Sequence, residues 1–175
     1  MKTTRLFLTA FAGFAAIATV FAADKATKTN EKTEVVFSHP EKFADVRDSY
    51  NSDAGRDALL SQLEDYIKER GRSYVPDGDK LVVTVTDIDL AGDFEPWRGP
   101  QLTDVRIVKD IYPPKVDLEY KLVGPDGVPV KTGKRQLRDL AFMMKISITR
   151  DDSLRFEKAL IDDWFRSEFP RVAKN

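Results

Sequence analysis

Three patterns in the chain predict an α+β fold, a single antiparallel or mixed sheet with two amphipathic helices packed on one face. Residues 53–70 and 154–169 each place apolar side chains three and four positions apart, the stripe of a helix with one covered face. Residues 116–122 alternate apolar and charged positions, the period of a strand with one buried and one wet face. Strand segments follow one another through short turns, which favours antiparallel or mixed pairing. Two striped helices each need a surface to cover, and one sheet supplies it.

The chain opens with Lys2 and Arg5, the apolar run Leu6 to Val20, and then Phe21-Ala22-Ala23-Asp24. That is the order of a secretory signal peptide, with cleavage expected after Ala22. The apolar run is about 15 residues, short of the roughly 20 that span a bilayer. With no cysteine in the chain, acylation of a new N-terminal cysteine is closed, and no twin arginine is present. The expectation is export to the periplasm or beyond, with no transmembrane segment in the mature chain. Ala23 to Lys32 is polar and without periodicity, a flexible leader. Residues 33–175 then form one domain.

Thr33 to Phe37 is a β-branched run and a strand, stopped at Ser38-His39-Pro40. Glu41 to Ser52 reads as a loop with Phe43, Val46 and Tyr50 tucked inward. Asp53 to Arg70 is a helix with the stripe Leu59, Leu60, Leu63, Tyr66 and Ile67, and Gly71 stands where helices end. Pro76-Asp77-Gly78-Asp79 is a turn. Lys80 to Leu90 has Leu81, Val83 and Val85 on one face and Val82, Thr84, Thr86, Ile88 and Leu90 on the other. With neither face clearly solvated, it is expected to be a central strand. Val105 to Tyr112 is β-rich up to Pro113-Pro114. Val116 to Leu122 and Val128 to Leu137 make a hairpin across Gly124-Pro125-Asp126-Gly127. Leu140 to Ile148 is ambiguous between helix and strand. Asp151, Asp152 and Ser153 offer N-caps to a last helix with the stripe Leu154, Glu157, Ile161, Trp164, Phe165 and Phe169.

The 28 basic and 29 acidic residues give a formal charge of −1, and losing Lys2 and Arg5 with the leader takes it to about −3. That balance gives no reason to expect nucleic acid or an anionic membrane as partner. Without disulfides the core alone must hold the fold, which a chain of this length can do.

The candidate chemistry gathers in Asp87-Ile88-Asp89-Leu90-Ala91-Gly92-Asp93-Phe94-Glu95-Pro96-Trp97. On a strand Asp87 and Asp89 share a face, and with Asp93 and Glu95 they could converge on one divalent cation. An EF-hand is excluded, because Ala91 takes the third acidic position and Arg98 the closing one, and a strand leads in. Paired carboxylates also suggest acid/base hydrolysis, although nothing here sets their separation. The bland alternative is that they end a strand and cap a turn. Trp97 and Arg98, held between Pro96 and Pro100 with Glu95 beside them, form a recognition element of residue types enriched in interface hot spots. Alternatively Trp97 folds back as a lid on the core. His39 is the only histidine, which leaves a zinc site short of ligands. Ser38 beside it makes no triad, and no G-x-S-x-G elbow or phosphate-cradling glycine loop occurs. Lys131 to Arg138, including Lys134 and Arg135, reads as a solvated strand face rather than an anion site.

Val35-Val36-Phe37, Pro40-Glu41-Lys42-Phe43-x-Asp45, and Asp87 to Gly92 with Glu95-Pro96-Trp97 together resemble a family of exported bacterial proteins. It is catalogued as a domain of unknown function, number 3016. Val105-Arg106, Tyr112-Pro113-Pro114, Tyr120-x-Leu122, Leu137-x-Asp139, Glu157-Lys158 and Asp163-Trp164 fit the same pattern, so the likeness runs from about Val35 to Phe169. The resemblance implies an exported single-domain protein and carries over no catalytic residue. Two functional expectations stand. One is a non-catalytic envelope protein that binds a protein or envelope component through residues 92–99. The other is a cation-binding domain or metal-assisted hydrolase using Asp87, Asp89, Asp93 and Glu95.

Overall fold

The computed structural model describes residues 31–145 and 151–172. The expected signal peptide and most of the leader lie outside those residues, as does the end of the Leu140–Ile148 segment. Within them, the α+β expectation holds. Strands β1 (Thr33–Phe37), β2 (Lys80–Asp89), β5 (Lys115–Val123) and β6 (Pro129–Arg138) form a sheet in the order β1-β2-β5-β6. The sheet is mixed, because β1 runs parallel to β2 while β2–β5 and β5–β6 are antiparallel. The crossover between β1 and β2 contains helix α1 (Asp53–Tyr74), and helix α2 (Arg155–Glu168) follows β6 in the chain. Strands β3 (Asp93–Phe94) and β4 (Arg106–Ile107) form a separate two-stranded ribbon. No helix among the described residues is long and apolar enough to cross a membrane.

Both helices cover one face of the sheet. Leu60, Leu63 and Ile67 of α1 and Leu160, Ile161, Trp164 and Phe165 of α2 share one core with Leu81, Val83, Val85, Val116, Leu118 and Leu122. Helix α1 starts at the N-cap Ser52, whose hydroxyl accepts from the Gly55 amide at 2.9 Å. It does not stop at Gly71. It runs on to Tyr74, and Gly71 is buried where a Cβ would come within 1.8 Å of the Thr33 hydroxyl oxygen. The glycine lets helix and β1 approach closely; it is not a terminator.

Strict alternation along β2 would have aimed Asp87 and Asp89 into the core beside Val85. A β-bulge prevents this. Val85 pairs with Leu118 and Asp87 with Asp117, leaving Thr86 as the extra residue. The parity switches there, so Ile88 and Leu90 join the core with Leu81, Val83 and Val85, and the two aspartates face outward. Other boundaries move too. Lys32 is not part of a loose leader, since its ammonium donates to the Val75 carbonyl at 3.2 Å. Tyr50 is 85% exposed rather than tucked in, while Val46 is buried as expected. The β-rich stretch from Val105 shrinks to the two residues of β4. Leu154, not one of the polar residues before it, is the N-cap of α2, and the Asp152 carboxylate accepts from its amide.

Lys131 and Arg135 do not belong to a purely solvated face. They reach across β6 to Glu168 at the end of α2, which also accepts from the Tyr120 hydroxyl. Burial alone would raise the Glu168 carboxyl, but the hydrogen bonds from Lys131, Tyr120 and Arg135 bring it down from 4.5 to about 2. A carboxyl depressed on folding stabilises the fold above its unfolded pKa, and that contribution disappears as pH falls from 4.5 towards 2. About 2 kcal/mol of stability is therefore expected to fade over that window. Urea midpoints measured down the pH scale will show the decline in the wild type and a flatter profile in Glu168→Gln. Parallel profiles would remove Glu168 as the cause.

Candidate functional site

The segment after β2 is built on two buried carboxylates that the helices do not supply. Asp45 adds a short parallel bridge to Asp89 at the end of β2, with its amide donating to the Ile88 carbonyl and its carbonyl accepting from Leu90. Its buried carboxylate accepts from Arg106 Nη1 and Nη2, at 2.9 and 3.1 Å, and from Arg47 Nε at 3.0 Å. Arg106 also donates to the carbonyls of Gly92 and Arg47, at 2.9 and 3.1 Å. Its guanidinium lies 4.7 Å from the centre of the Phe94 ring, with that of Arg47 at 5.4 Å from the same ring. One arginine thus ties the loop before α1 to the β3–β4 ribbon.

Glu95 is the second anchor. Only 2% of it is exposed, and it accepts from Lys109 Nζ at 2.5 Å and from the Tyr112 hydroxyl at 3.0 Å, with Arg98 as a further ion-pair partner. The hydrogen bond from Lys109 holds its carboxyl below the ordinary range against the effect of burial. Glu95 is therefore a foundation of the loop, not part of its contact surface as the sequence suggested. Gly92, at φ 83°, is where a Cβ would meet the Ile107 carbonyl oxygen at 2.8 Å, so the ribbon packs directly on this backbone.

On that foundation Pro96–Arg98 forms one 3-10 turn and Pro100–Leu102 another. Trp97 is 70% exposed, so it is no lid on the core. The prolines and the buried Glu95 hold a large aromatic ring out towards solvent.

The other predicted residues stay near one another, Asp89 and Asp93 lining one cleft, but two of them are already paired. Asp87 accepts from Lys115 Nζ at 2.9 Å and from the Ala44 amide at 2.8 Å. Asp93 lies 3.6 Å from Arg47 and takes the Phe94 amide. Asp89 shares the outward face with Asp87, and burial with the nearby charges of Asp45 and Asp87 pushes its carboxyl above the ordinary range. Among the described residues no three of His, Cys, Asp and Glu gather as a set that could hold a metal. His39 is exposed at φ 57°, 3.4 Å from Glu41.

Two acidic residues were missed as parts of this region. Asp45 was visible only as the end of a family-like motif, and its partner Arg106 lies 61 positions away. Glu157 stood out as the one charge on the apolar stripe of α2. It is buried, and it accepts from the Ala91 amide at 2.7 Å beneath the start of the loop. Burial pushes its carboxyl up.

No curated protein and no solved structure matches this chain. A family model does, over residues 31–167, which include both helices' cores, the whole sheet and the loop just described. The chain belongs to the family described as "Protein of unknown function (DUF3016)".

Proposed function

We propose that this protein is a non-catalytic, exported binding module that contacts a protein or envelope component through residues 92–99. The observation that carries this reading is Trp97, an exposed aromatic ring on a proline-bracketed turn anchored by a buried, ion-paired Glu95. A tryptophan ring offers a large apolar area for a partner to cover, and holding it rigidly lowers the entropy lost on binding. Arg98 beside it, paired to Glu95, is the other contact residue. Tryptophan and arginine are the side chains that dominate interface energetics. Export is part of the reading because the first 22 residues have the layout of a cleavable signal.

The test is crosslinking in cells from a photoreactive residue at position 97, with a control at Lys121. A discrete adduct from 97 alone, on a chain that begins at Ala23 in the exported fraction, is the expected result. Trp97→Ala is expected to change stability by less than about 0.5 kcal/mol, as surface substitutions do, while abolishing partner capture. Equal crosslinking from 97 and 121, or none, would overturn the proposal.

A further inference from the structure

The sheet face turned away from the helices carries a second feature, a cleft that meets the start of the loop at Gly92 and Asp93 but does not include Trp97 or Arg98. Asp89 pairs in register with Lys115, and Lys115 with Arg138, so the three stand in a row across β2, β5 and β6. Lys115 in the middle is already neutralised, 2.9 Å from Asp87 and 3.1 Å from Asp117. The two ends of the row are not. Among the described residues no hydrogen bond or ion pair reaches the Asp89 carboxylate or the Arg138 guanidinium, and Lys115 and Arg106 act on Asp89 only through their charge. Both line a cleft of about 510 Å³, within the range of small-ligand sites. Ile111 and Pro113 form an apolar wall of the cleft.

A half-buried carboxylate without a partner is unfavourable, and folding commonly supplies one. Here the nearby cations are committed elsewhere: Arg47 and Arg106 hold Asp45, and Lys115 holds Asp87. A divalent metal is a poor occupant, because it takes six or more oxygens and only one carboxylate is free. An ammonium group needs one carboxylate and brings its own donors. The free guanidinium at the other end suits a carboxylate. Strands about 4.8 Å apart put the two Cα positions roughly 10 Å apart, the reach of an extended peptide of about three residues.

We infer that this cleft binds a short zwitterionic peptide, its ammonium group on Asp89 and its terminal carboxylate on Arg138. The binding is non-covalent and does not depend on the Trp97 surface. The probe is trialanine with both ends free, titrated into the isotopically labelled full chain by NMR. The comparison ligands are N-acetyl-trialanine, trialanine amide and free alanine. Trialanine is expected to shift amides around Asp89, Gly92, Lys115 and Arg138, and blocking either end to weaken binding by about tenfold or more. In Asp89→Asn acetylation no longer matters, and in Arg138→Gln amidation no longer matters. Free alanine binding as tightly as trialanine overturns the inference, because its ammonium and carboxylate are too close together to reach Asp89 and Arg138 at once. Capped peptides binding as well as the free one, or no shift in the cleft at millimolar trialanine, overturns the inference. Trp97→Ala leaves these titrations unchanged, and Arg138→Gln leaves the position-97 crosslink unchanged, so the two proposals fail separately.

Discussion

Replacing Arg106 with alanine is expected to cost about 3 kcal/mol of folding stability, more than any other surface-lying change near the loop. The guanidinium makes four hydrogen bonds, two to Asp45 and one each to the carbonyls of Gly92 and Arg47. Its removal leaves a buried carboxylate with Arg47 alone and strips two backbone acceptors of donors. Breaking such a pair from one side leaves the other charge desolvated with too few partners, which is why the loss exceeds the value of the contact itself. Arg106→Lys is expected to recover less than half, because a point charge cannot bridge a carboxylate and two carbonyls as a fork does. Urea denaturation measures the loss. Hydrogen exchange should place the extra opening in residues 44–48 and 92–95, with β2 and β5 still protected. A loss below about 1 kcal/mol with unchanged exchange in those loops would show that the ribbon is held by something else.

The same arginine marks the limit of what could be read from the chain. Local periodicity exposed what is local. The stripe Leu60, Leu63, Ile67 named the buried side of α1, and the alternation from Val116 to Leu122 named that of β5, because each is repeated over several residues. Single-residue events were invisible. The bulge at Thr86 has no composition of its own, yet it decides that Asp87 and Asp89 face outward. Gly71 looks like any terminator until β1 is placed against it. Long-range ion pairs were also hidden. Asp87, Asp89, Asp93 and Glu95 look like one acidic set along the chain, but Lys109, Lys115 and Arg47, each from a different segment, separate them. Cations from elsewhere in the chain claim three of the four carboxylates, and Asp89 is left without one. Only Glu157 left a mark, as a charge in an apolar register, and that mark is the sort worth following.

Trp164→Ala is expected to be the most damaging single truncation in the core, at about 4 kcal/mol, and it tests whether the loop and the core are independent. Trp164 is 2% exposed and joins the two elements that α2 must link. Its ring meets Tyr120 of β5 at 5.6 Å, Phe165 at 4.6 Å and Phe169 at 5.6 Å. Removing it takes away the transfer energy of an indole and leaves a cavity among aromatic rings that have little freedom to collapse. Its Nε1 is buried and has no acceptor among the described residues, so the indole nitrogen adds a desolvation penalty rather than a bond. Trp164→Phe deletes that penalty and part of the ring together, and is expected to cost less than about 1.5 kcal/mol. A phenylalanine variant as unstable as the alanine one would mean that the nitrogen is satisfied after all. The double variant with Arg106→Ala completes the test, because sites that share no partner add. Additive losses would establish that the loop platform rides on a core it does not strengthen. A shortfall of more than about 0.5 kcal/mol would tie the two together. Glu157, on the same helix as Trp164 and bonded to Ala91 beneath the loop, is the residue through which they would be coupled.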